Sequence, residues 1–378
     1  MSAQGEILLI AIIVSTACTI PGMFLVLRSM AMMSDAITHT ILLGIVAAFF
    51  IVHSLTSPFL ILGAALMGLL TVFMVESITK TKLMAEDSAI GIVFPFLFSI
   101  AIILITRYAG SVHLDTDSVL LGELAFAPFN RFVFLGVDMG AKAIYVMGAV
   151  LLMNLLLAFV FFKELKIATF DPALAAVLGL APTLVHYGLM AAVSITAVAA
   201  FETVGSILVV AFMVGPPVTA YLLTDDLKRM MLISFAVGAL NAFLGFRMAI
   251  WLDVSIAGSM ATLTGITFFM VFLIAPSRGM LSVFLRRRRQ KVDFAEKSLL
   301  FHLHNHEGDP DEALENGRHT IYDHLHWPHD FLDRLVKRLI DHHHVVVEND
   351  ILKLTDQGRA YAIQSYEQIV AGIQVKEK

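Results

Sequence analysis

The sequence predicts an all-α polytopic membrane domain of eight or nine transmembrane helices over residues 1–285. A small cytoplasmic domain of winged helix-turn-helix (α+β) type is predicted over residues 286–378. Hydrophobic residues make up 58% of the 378 residues, charged residues make up 15%, and the mean hydropathy is +0.82. Such a surplus of apolar side chains requires an apolar environment, which a lipid bilayer supplies. This composition excludes a disordered chain and a soluble enzyme, and the single cysteine, Cys18, excludes an intrachain disulfide scaffold.

The charged residues are segregated along the chain, and this segregation indicates the domain boundary. Long apolar runs continue to about residue 285, and then Arg286 to Arg289 and Lys291 open a polar, histidine-rich tail. About 20 apolar residues are enough for a helix to cross a bilayer. We therefore expect spans near 7–27, 30–52, 59–78, 88–106, 141–161, 183–200, 204–223, 230–251 and 256–276. Phe201 and Glu202 make such a short break between the sixth and seventh that eight spans remain possible.

Lysine and arginine indicate the orientation, because cytoplasmic loops carry an excess of both residues. With nine spans and the N-terminus outside, the inside loops contain Arg28, Lys80, Lys82, Lys163, Lys166, Lys228, Arg229 and the run at 286–289. The outside segments contain Arg107, Arg131 and Lys142. We therefore expect a multi-pass protein of the inner or plasma membrane, in contact with lipid, whose C-terminal domain is cytoplasmic.

The second span contains two ionisable residues, Asp35 and His39. A carboxylate within hydrocarbon costs about 2.5–3.5 kcal/mol, and such residues usually face a bundle interior or a water-filled path. Residues four apart on a helix share a face, so these two side chains are expected to form half of a site for a divalent cation. Carboxylate oxygen with imidazole nitrogen suits manganese, iron or zinc. The alternative is a structural pair, formed between the two residues or with Ser34 and Thr38.

Glu202, between the sixth and seventh spans, is a weaker candidate. It is either an outer carboxylate that attracts cations, a solvated loop residue, or the first-turn anion of a helix that begins at Thr203.

The inside segment 163–180, KELKIATFDPALAAVLGL, predicts a short amphipathic helix. Asp171 is expected to open this helix with Pro172 at its first position, and Gly179 either to end it or to allow close packing. A short helix between long spans either docks into the groove of a partner or is an interfacial linker.

These residues together resemble the permease subunits of manganese, zinc and iron ABC importers. The similarity rests on three stretches: GMFLVLRSMAMMSDAITHTILLGI, FDPALAAVLG and FETVGSILVVAFMVGPPVTAYLL. It runs from about residue 5 to residue 280. Two features depart from the family pattern: the Gly215-Pro216-Pro217 sequence and the C-terminal tail.

The resemblance implies a second permease in a homo- or heterodimer, two ATPase subunits and an extracytoplasmic metal-binding protein. It assigns the metal path to Asp35 and His39, and the ATPase contact to Asp171, Ala175 and Gly179. No GxxxxGK[ST] loop is present, so the chain is not expected to be an enzyme, and ATP hydrolysis is assigned to a separate partner. Manganese, zinc or iron ions are expected as cargo, without a permanently bound cofactor.

The tail resembles the winged-helix domain of iron- or manganese-dependent repressors, through FLDRLVKRLIDHHHVVVENDILKLTDQGRAYA. Its pattern predicts helices near 296–306, 319–326 and 330–342, a loop at 309–317, a hairpin at 345–354 and a last helix from about 355. Acidic residues offset the arginines of the third helix, so we do not expect a nucleic-acid partner.

Ten of the 14 histidines lie in this tail. His302 and His306 share a helix face, as do His319 and Asp323, so these four residues are candidates for a regulatory metal site. The alternative is a winged-helix interaction or dimerisation module whose histidines are solvated.

The predicted mechanism is alternating access, in which Asp35 and His39 hold the cation while ATP binding in the partner subunits moves segment 171–180. Two other functions fit the same residues. One is a proton-coupled secondary metal transporter, which would work without an ATPase. The other is a membrane-anchored metal sensor, whose spans would not conduct.

Overall fold

Nine helices in the described part of the chain are long and apolar enough to cross a membrane. The computed structural model describes residues 2–53, 57, 59–108, 124–134, 137–325 and 327–365. The nine helices are α1 (Ala3–Leu27), α2 (Ala31–Val52), α3 (Phe59–Thr79), α4 (Glu86–Tyr108), α5 (Lys142–Val160), α8 (Pro182–Val204), α9 (Ser206–Leu223), α10 (Leu227–Leu252) and α11 (Ile256–Ile274). Two shorter helices, α6 (Phe162–Phe170) and α7 (Pro172–Val177), lie between α5 and α8. The polytopic helical domain predicted from hydropathy is confirmed.

Gly205 separates the sixth long helix from the seventh. Helix α8 ends at Val204 and α9 begins at Ser206, and Gly205 adopts φ 80° and ψ 165° between them. Residues with a Cβ atom rarely adopt this conformation, so the glycine ends one helix and starts the next. The short break therefore divides this stretch into two helices, which gives nine long helices rather than eight in the described residues.

The chain divides into two compact units, Met1–Gly279 and Met280–Lys378. In the first unit α1 is the most buried of the nine long helices, and it packs against α5, α8, α9 and α10. Helix α2 packs mainly against α3 and α4. Because α1 lies at the centre, its sequence is apolar all round rather than on one face.

A β-hairpin precedes α5. A 3₁₀ turn at Ala127–Phe129 leads into β1 (Arg131–Phe134), which pairs antiparallel with β2 (Val137–Ala141). Arg131 donates to Glu6 at 2.9 Å and to Asp138 at 2.9 Å. These bonds from the guanidinium hold the pKa of the Asp138 carboxyl below its usual value. Glu6 is buried near the start of α1, so the ion pair ties the hairpin to that helix.

Proline in α1 frees a backbone carbonyl that a neighbouring helix then satisfies. Pro21 has no N–H, so the carbonyl of Ala17 four residues earlier receives no helical hydrogen bond from it. Asn154 of α5 donates to this Ala17 oxygen at 3.0 Å and to the Thr196 hydroxyl of α8 at 2.7 Å. One buried amide therefore joins three helices at the point where the proline interrupts the helical hydrogen bonds.

A second freed carbonyl brings α1 and α9 into close contact. Pro217 of α9 cannot donate to Met213, and Gly22 of α1 packs directly on the Met213 carbonyl. A Cβ atom at residue 22 would lie 1.9 Å from that oxygen, far inside any real contact. The glycine is therefore required for the central helix to approach α9.

The second unit combines helices with one hairpin. It contains α12 (Met280–Asn305), α13 (Glu312–Glu315), α14 (Ile321–Leu325), α15 (His329–Asp341), β3 (Val345–Glu348), β4 (Ile351–Leu354) and a helix over 356–365. The hairpin expected at 345–354 is present, with Val345 opposite Leu354. Leu299, Leu335 and Leu352 are among the buried residues of its core. Part of the stretch expected to be a loop at 309–317 forms the one-turn helix α13.

We predict that Gly22→Ala destabilises the membrane unit by about 1–3 kcal/mol, since the new methyl group must push α9 away. The measurement is thermal unfolding of the purified chain in detergent. Gly148→Ala in α5 is the matched control, because a Cβ atom there meets nothing within 4 Å. Equal unfolding temperatures for the two variants would contradict the close contact between α1 and α9.

Candidate functional site

Asp35 and His39 lie together on the first half of α2. The Asp35 Oδ1 to His39 Nε2 distance is 3.4 Å, with the two side chains 41% and 23% exposed respectively. Ser34 and Thr38 do not share this contact, because their hydroxyls donate to the backbone carbonyls of Ala31 and Asp35, each at 2.8 Å. The spacing of the two residues therefore produces the shared face that the sequence predicts.

Helix α4 forms the wall beside this pair. The His39 ring lies 5.1 Å from the ring centroid of Phe94 and 5.9 Å from that of Phe98. These aromatic contacts limit how the imidazole can turn. The Asp35 side chain, in contrast, remains partly exposed.

Asp35 and His39 offer two potential metal ligands within one chain. Among the described residues, no third histidine, cysteine, aspartate or glutamate forms a metal-binding group with Asp35 and His39. Two protein ligands leave at least two positions open around a tetrahedral ion. Any ion held here therefore needs water or a second polypeptide to complete its coordination.

Glu202 lies elsewhere and does not open a helix. It is exposed in the last turn of α8, and α9 begins at Ser206 rather than near Thr203. The interpretation of Glu202 as a first-turn anion is therefore wrong. The next helix begins at Ser206, three residues later than Thr203, because Gly205 separates the two helices.

A polar cluster lies at the junction between α1 and α2. We call it the Arg28 cluster; it consists of Arg28, Glu76, Lys80, Thr169, His186 and Tyr187. Arg28 donates to the Thr169 hydroxyl of α6 at 3.1 Å and to His186 Nδ1 of α8 at 3.1 Å. Burial lowers the pKa of the Arg28 guanidinium, which nevertheless stays protonated.

Glu76 of α3 completes the Arg28 cluster. Its carboxylate contacts His186 Nε2, accepts from the Tyr187 hydroxyl at 2.9 Å and pairs with Lys80 at 3.0 Å. Arginine can only donate, so His186 Nδ1 accepts and its proton lies on Nε2, facing Glu76. The cluster therefore connects α3, α6 and α8 with the turn that precedes α2.

Sequence reasoning missed the Arg28 cluster. One signal was available, since Glu76 is a carboxylate inside the third apolar run, and such residues are rarely left without a partner. The identity of that partner depends on how α3 packs against α8, which no local pattern reveals.

Helix α7 has the ends that the sequence predicts. The Asp171 carboxylate accepts from the N–H of Leu174 at 2.9 Å, and Pro172 is the first helical residue. At the other end Gly179 adopts φ 72°, and the N–H groups of Gly179 and Leu180 bond to the carbonyls of Ala176 and Ala175. This arrangement is a Schellman motif.

The faces of α7 differ in burial. Ala175 is buried against the membrane unit, whereas Leu174, Val177 and Leu178 are exposed, Val177 by 84%. Three neighbouring apolar side chains on a short connecting helix form a surface suited to a protein partner.

In the C-terminal unit, Met280–Lys378, two of the four predicted regulatory ligands lie together. The rings of His302 and His306 are 4.8 Å apart, and Glu315 joins them. His319 instead lies 3.3 Å from Asp350. The side chain of Asp323 is outside the described residues.

Comparisons with known proteins identify what this chain is similar to. A family model described as the ABC 3 transport family matches residues 4–275. The manganese transport system membrane protein MntD of Bacillus subtilis is 46% identical over 286 residues, which cover 76% of this chain and 97% of MntD. The zinc transport system membrane protein TroD of Treponema pallidum is 42% identical over 357 residues, or 94% of this chain and 97% of TroD.

A solved structure has the same architecture. PsaBC from Streptococcus pneumoniae in complex with Fab gives a TM-score of 0.62 at 30% identity, covering 75% of this chain and 95% of the PsaBC chain. The MntD and PsaBC alignments thus cover about three quarters of this chain, whereas the TroD alignment covers nearly all of it.

We predict that Glu76→Gln lowers the stability of the membrane unit by about 1–3 kcal/mol, because Arg28 loses its nearby anion and the Nε2 proton of His186 loses a charged acceptor in a mostly buried site. Thermal unfolding in detergent measures the effect. Lys80→Gln is the control, since the lysine is 71% exposed and its ion pair is solvated. If Lys80→Gln proved as destabilising as Glu76→Gln, the buried contacts of Glu76 with His186 and Tyr187 would not be the stabilising ones.

Proposed function

The chain belongs to the ABC 3 transport family, and we propose on that basis that it carries divalent transition-metal ions as the permease subunit of an ATP-driven importer. As a transport subunit it is not in itself an enzyme. The single observation that carries the cargo proposal is the Asp35 and His39 pair on α2. An ionisable pair within an apolar span, partly open and incomplete as a metal site, suits a stopping point for an ion in transit.

The donor set supports manganese, zinc or iron as the cargo. Carboxylate oxygen and imidazole nitrogen bind all three as divalent ions. The names of two relatives agree with two of these metals, because MntD is named for manganese and TroD for zinc. Two ligands from one chain bind weakly enough to release the ion, and we propose that a second permease, with water, supplies the rest.

The proposed ATPase contact is α7 with its flanking residues Asp171 and Gly179. Capping at both ends keeps this short helix folded, and Ala175 anchors it to the unit. The exposed apolar residues of α7 are the surface offered to the ATPase subunit. An extracytoplasmic metal-binding protein, by the same proposal, delivers the ion to the opposite side.

The Arg28 cluster provides a route from the ATPase contact to the metal pair. Thr169 lies two residues before Asp171, and Arg28, which donates to Thr169, lies seven residues before Asp35. We propose that displacement of α7 on ATP binding shifts Arg28 and tilts α2. The site then opens inward in alternating access.

The proposed orientation has the N-terminus outside and the C-terminal unit in the cytoplasm, in an inner or plasma membrane. The excess of lysine and arginine in alternate loops supports it. In this orientation α7 and the Arg28 cluster lie on the cytoplasmic side, where an ATPase operates.

For the C-terminal unit we propose a winged-helix domain that regulates transport in response to metal. Two short helices, a longer helix and a hairpin in that order support the assignment.

A DNA contact is not proposed for this unit, because Arg338 pairs with Glu296 at 2.7 Å and Arg334 donates to the Asp330 carbonyl at 2.9 Å. Engaged guanidinium groups are poorly placed to neutralise phosphates.

We predict that Asp35→Asn abolishes metal uptake while leaving folding intact, because the amide cannot replace the anionic ligand. Uptake of Mn²⁺ and Zn²⁺ is measured in vesicles that contain the chain with its ATPase. Asp87→Asn, an exposed carboxylate at the start of α4, is the control and should transport normally. Normal uptake by Asp35→Asn would refute the site, and wild-type uptake without the ATPase would favour a secondary transporter.

We predict that Val177→Asp prevents the ATPase from co-purifying with the chain, because a charge is placed in an apolar contact. Leu83→Asp is the matched control, since Leu83 is 85% exposed in the α3–α4 connection. Pull-down from detergent extracts gives the measurement. Retention of the ATPase by Val177→Asp would mean that α7 is a linker rather than the contact.

A further inference from the structure

The end of α12 brings two imidazoles and one carboxylate together. Ligand atoms of His302, His306 and Glu315 all lie within 4.8 Å of one another. In the described residues this is the single group of at least three histidine, cysteine, aspartate or glutamate side chains with metal-binding geometry. The side chains of His302 and Glu315 are largely buried, at 16% and 24% exposed, so the group lies in a partly desolvated recess.

Glu315 is held beside His302 by its neighbour in the chain. Asn316 is buried, and its side-chain amide donates to the Leu303 carbonyl of α12 at 3.3 Å. The carbonyl of Asn316 in turn accepts from the N–H of Leu352 in β4 at 2.9 Å. The loop after α13 is thus fixed to both α12 and the hairpin, and the third ligand does not depend on a mobile segment.

The His302 ring already contacts Glu315. Its Nε2 atom lies 3.1 Å from the backbone oxygen of Glu315 and 4.0 Å from the Glu315 carboxylate. His306 is one helical turn further on, and its Nδ1 atom lies 3.7 Å from Asp309. Asp309 contacts this one histidine of the group and is not itself a member of it.

We propose that His302, His306 and Glu315 form a binding site for a divalent transition-metal ion in the C-terminal unit. Two neutral imidazoles and a carboxylate are a ligand set typical of zinc, with water in the remaining position. Ligands about 2.0–2.2 Å from a zinc ion lie closer together than the present separations, so the side chains move inward by about 1 Å on binding. Manganese and iron accept the same donors.

This site is independent of the proposed transport site. It uses none of the residues of the membrane unit, and it lies beyond residues 4–275, to which the family match is confined. Glu315 is not among the candidates that the sequence predicts, and His319 is not a member of the group. Its occupancy would make the C-terminal unit responsive to the cytoplasmic concentration of the same class of ion as the cargo.

The test is equilibrium dialysis of the full-length chain in detergent against Zn²⁺, without a polyhistidine tag, with bound metal determined by elemental analysis. The parent chain carries Asp35→Asn and His39→Asn, so that the transport pair does not contribute. We expect this parent to retain one equivalent of tightly bound Zn²⁺. Adding His302→Asn with His306→Asn removes that equivalent.

Glu315→Gln keeps the size and hydrogen bonding of the side chain, and we expect it to weaken Zn²⁺ binding at least about tenfold. His304→Asn is the matched control, since His304 lies on the same helix between the two ligands but is not a member of the group. It should bind Zn²⁺ like the parent. Circular dichroism and thermal unfolding without metal establish that each variant is folded.

Two results would overturn the proposal. One is an unchanged Zn²⁺ stoichiometry and affinity in folded Glu315→Gln and in the double histidine variant. The other is an equal loss in His304→Asn, which would mean unspecific binding by a histidine-rich surface. If the double variant fails to fold, the affinity of Glu315→Gln decides. The parent chain already lacks Asp35 and His39, so its Zn²⁺ binding tests the C-terminal site alone. Failure of the proposed transport site would leave this result unchanged, and the reverse also holds.

Discussion

The membrane unit depends on one constraint: a polar group within hydrocarbon must find a partner inside the protein. Asn154 satisfies a carbonyl that a proline has freed, and Arg28 and Glu76 meet through a neutral imidazole between them. Asp35 and His39 differ, since they contact each other at 3.4 Å and yet leave part of the carboxylate open. This partly exposed carboxylate, paired with an imidazole, is the feature on which the proposed transport site rests.

The same constraint makes the helix interruptions useful. Prolines in α1 and α9 remove backbone donors; Asn154 donates to the freed Ala17 carbonyl, and Gly22 packs on the freed Met213 carbonyl. Gly22 at one of these points allows the central helix to approach α9 more closely than any side chain permits. Arg28 is another polar point of contact between helices, since it donates to Thr169 of α6 and to His186 of α8.

Much of the architecture could be predicted from the sequence, because hydropathy, helical spacing and capping are local properties. The spans, the shared face of Asp35 and His39, and the Asp171 cap of α7 all follow from residues close together in the chain. Glu76 and Glu315 were missed because their partners are supplied by distant segments. His302 and Glu315 are 13 residues apart, and only the fixed loop around Asn316 brings them together.

The most direct measurement is an anomalous-difference electron-density map of the chain crystallised with its ATPase in the presence of Zn²⁺. We expect a zinc peak within about 2.0–2.2 Å of an Asp35 carboxylate oxygen and a His39 ring nitrogen, with further ligands from a second permease or water. A zinc position elsewhere in the membrane unit, with Asp35 and His39 still in contact only with each other, would contradict the transport site.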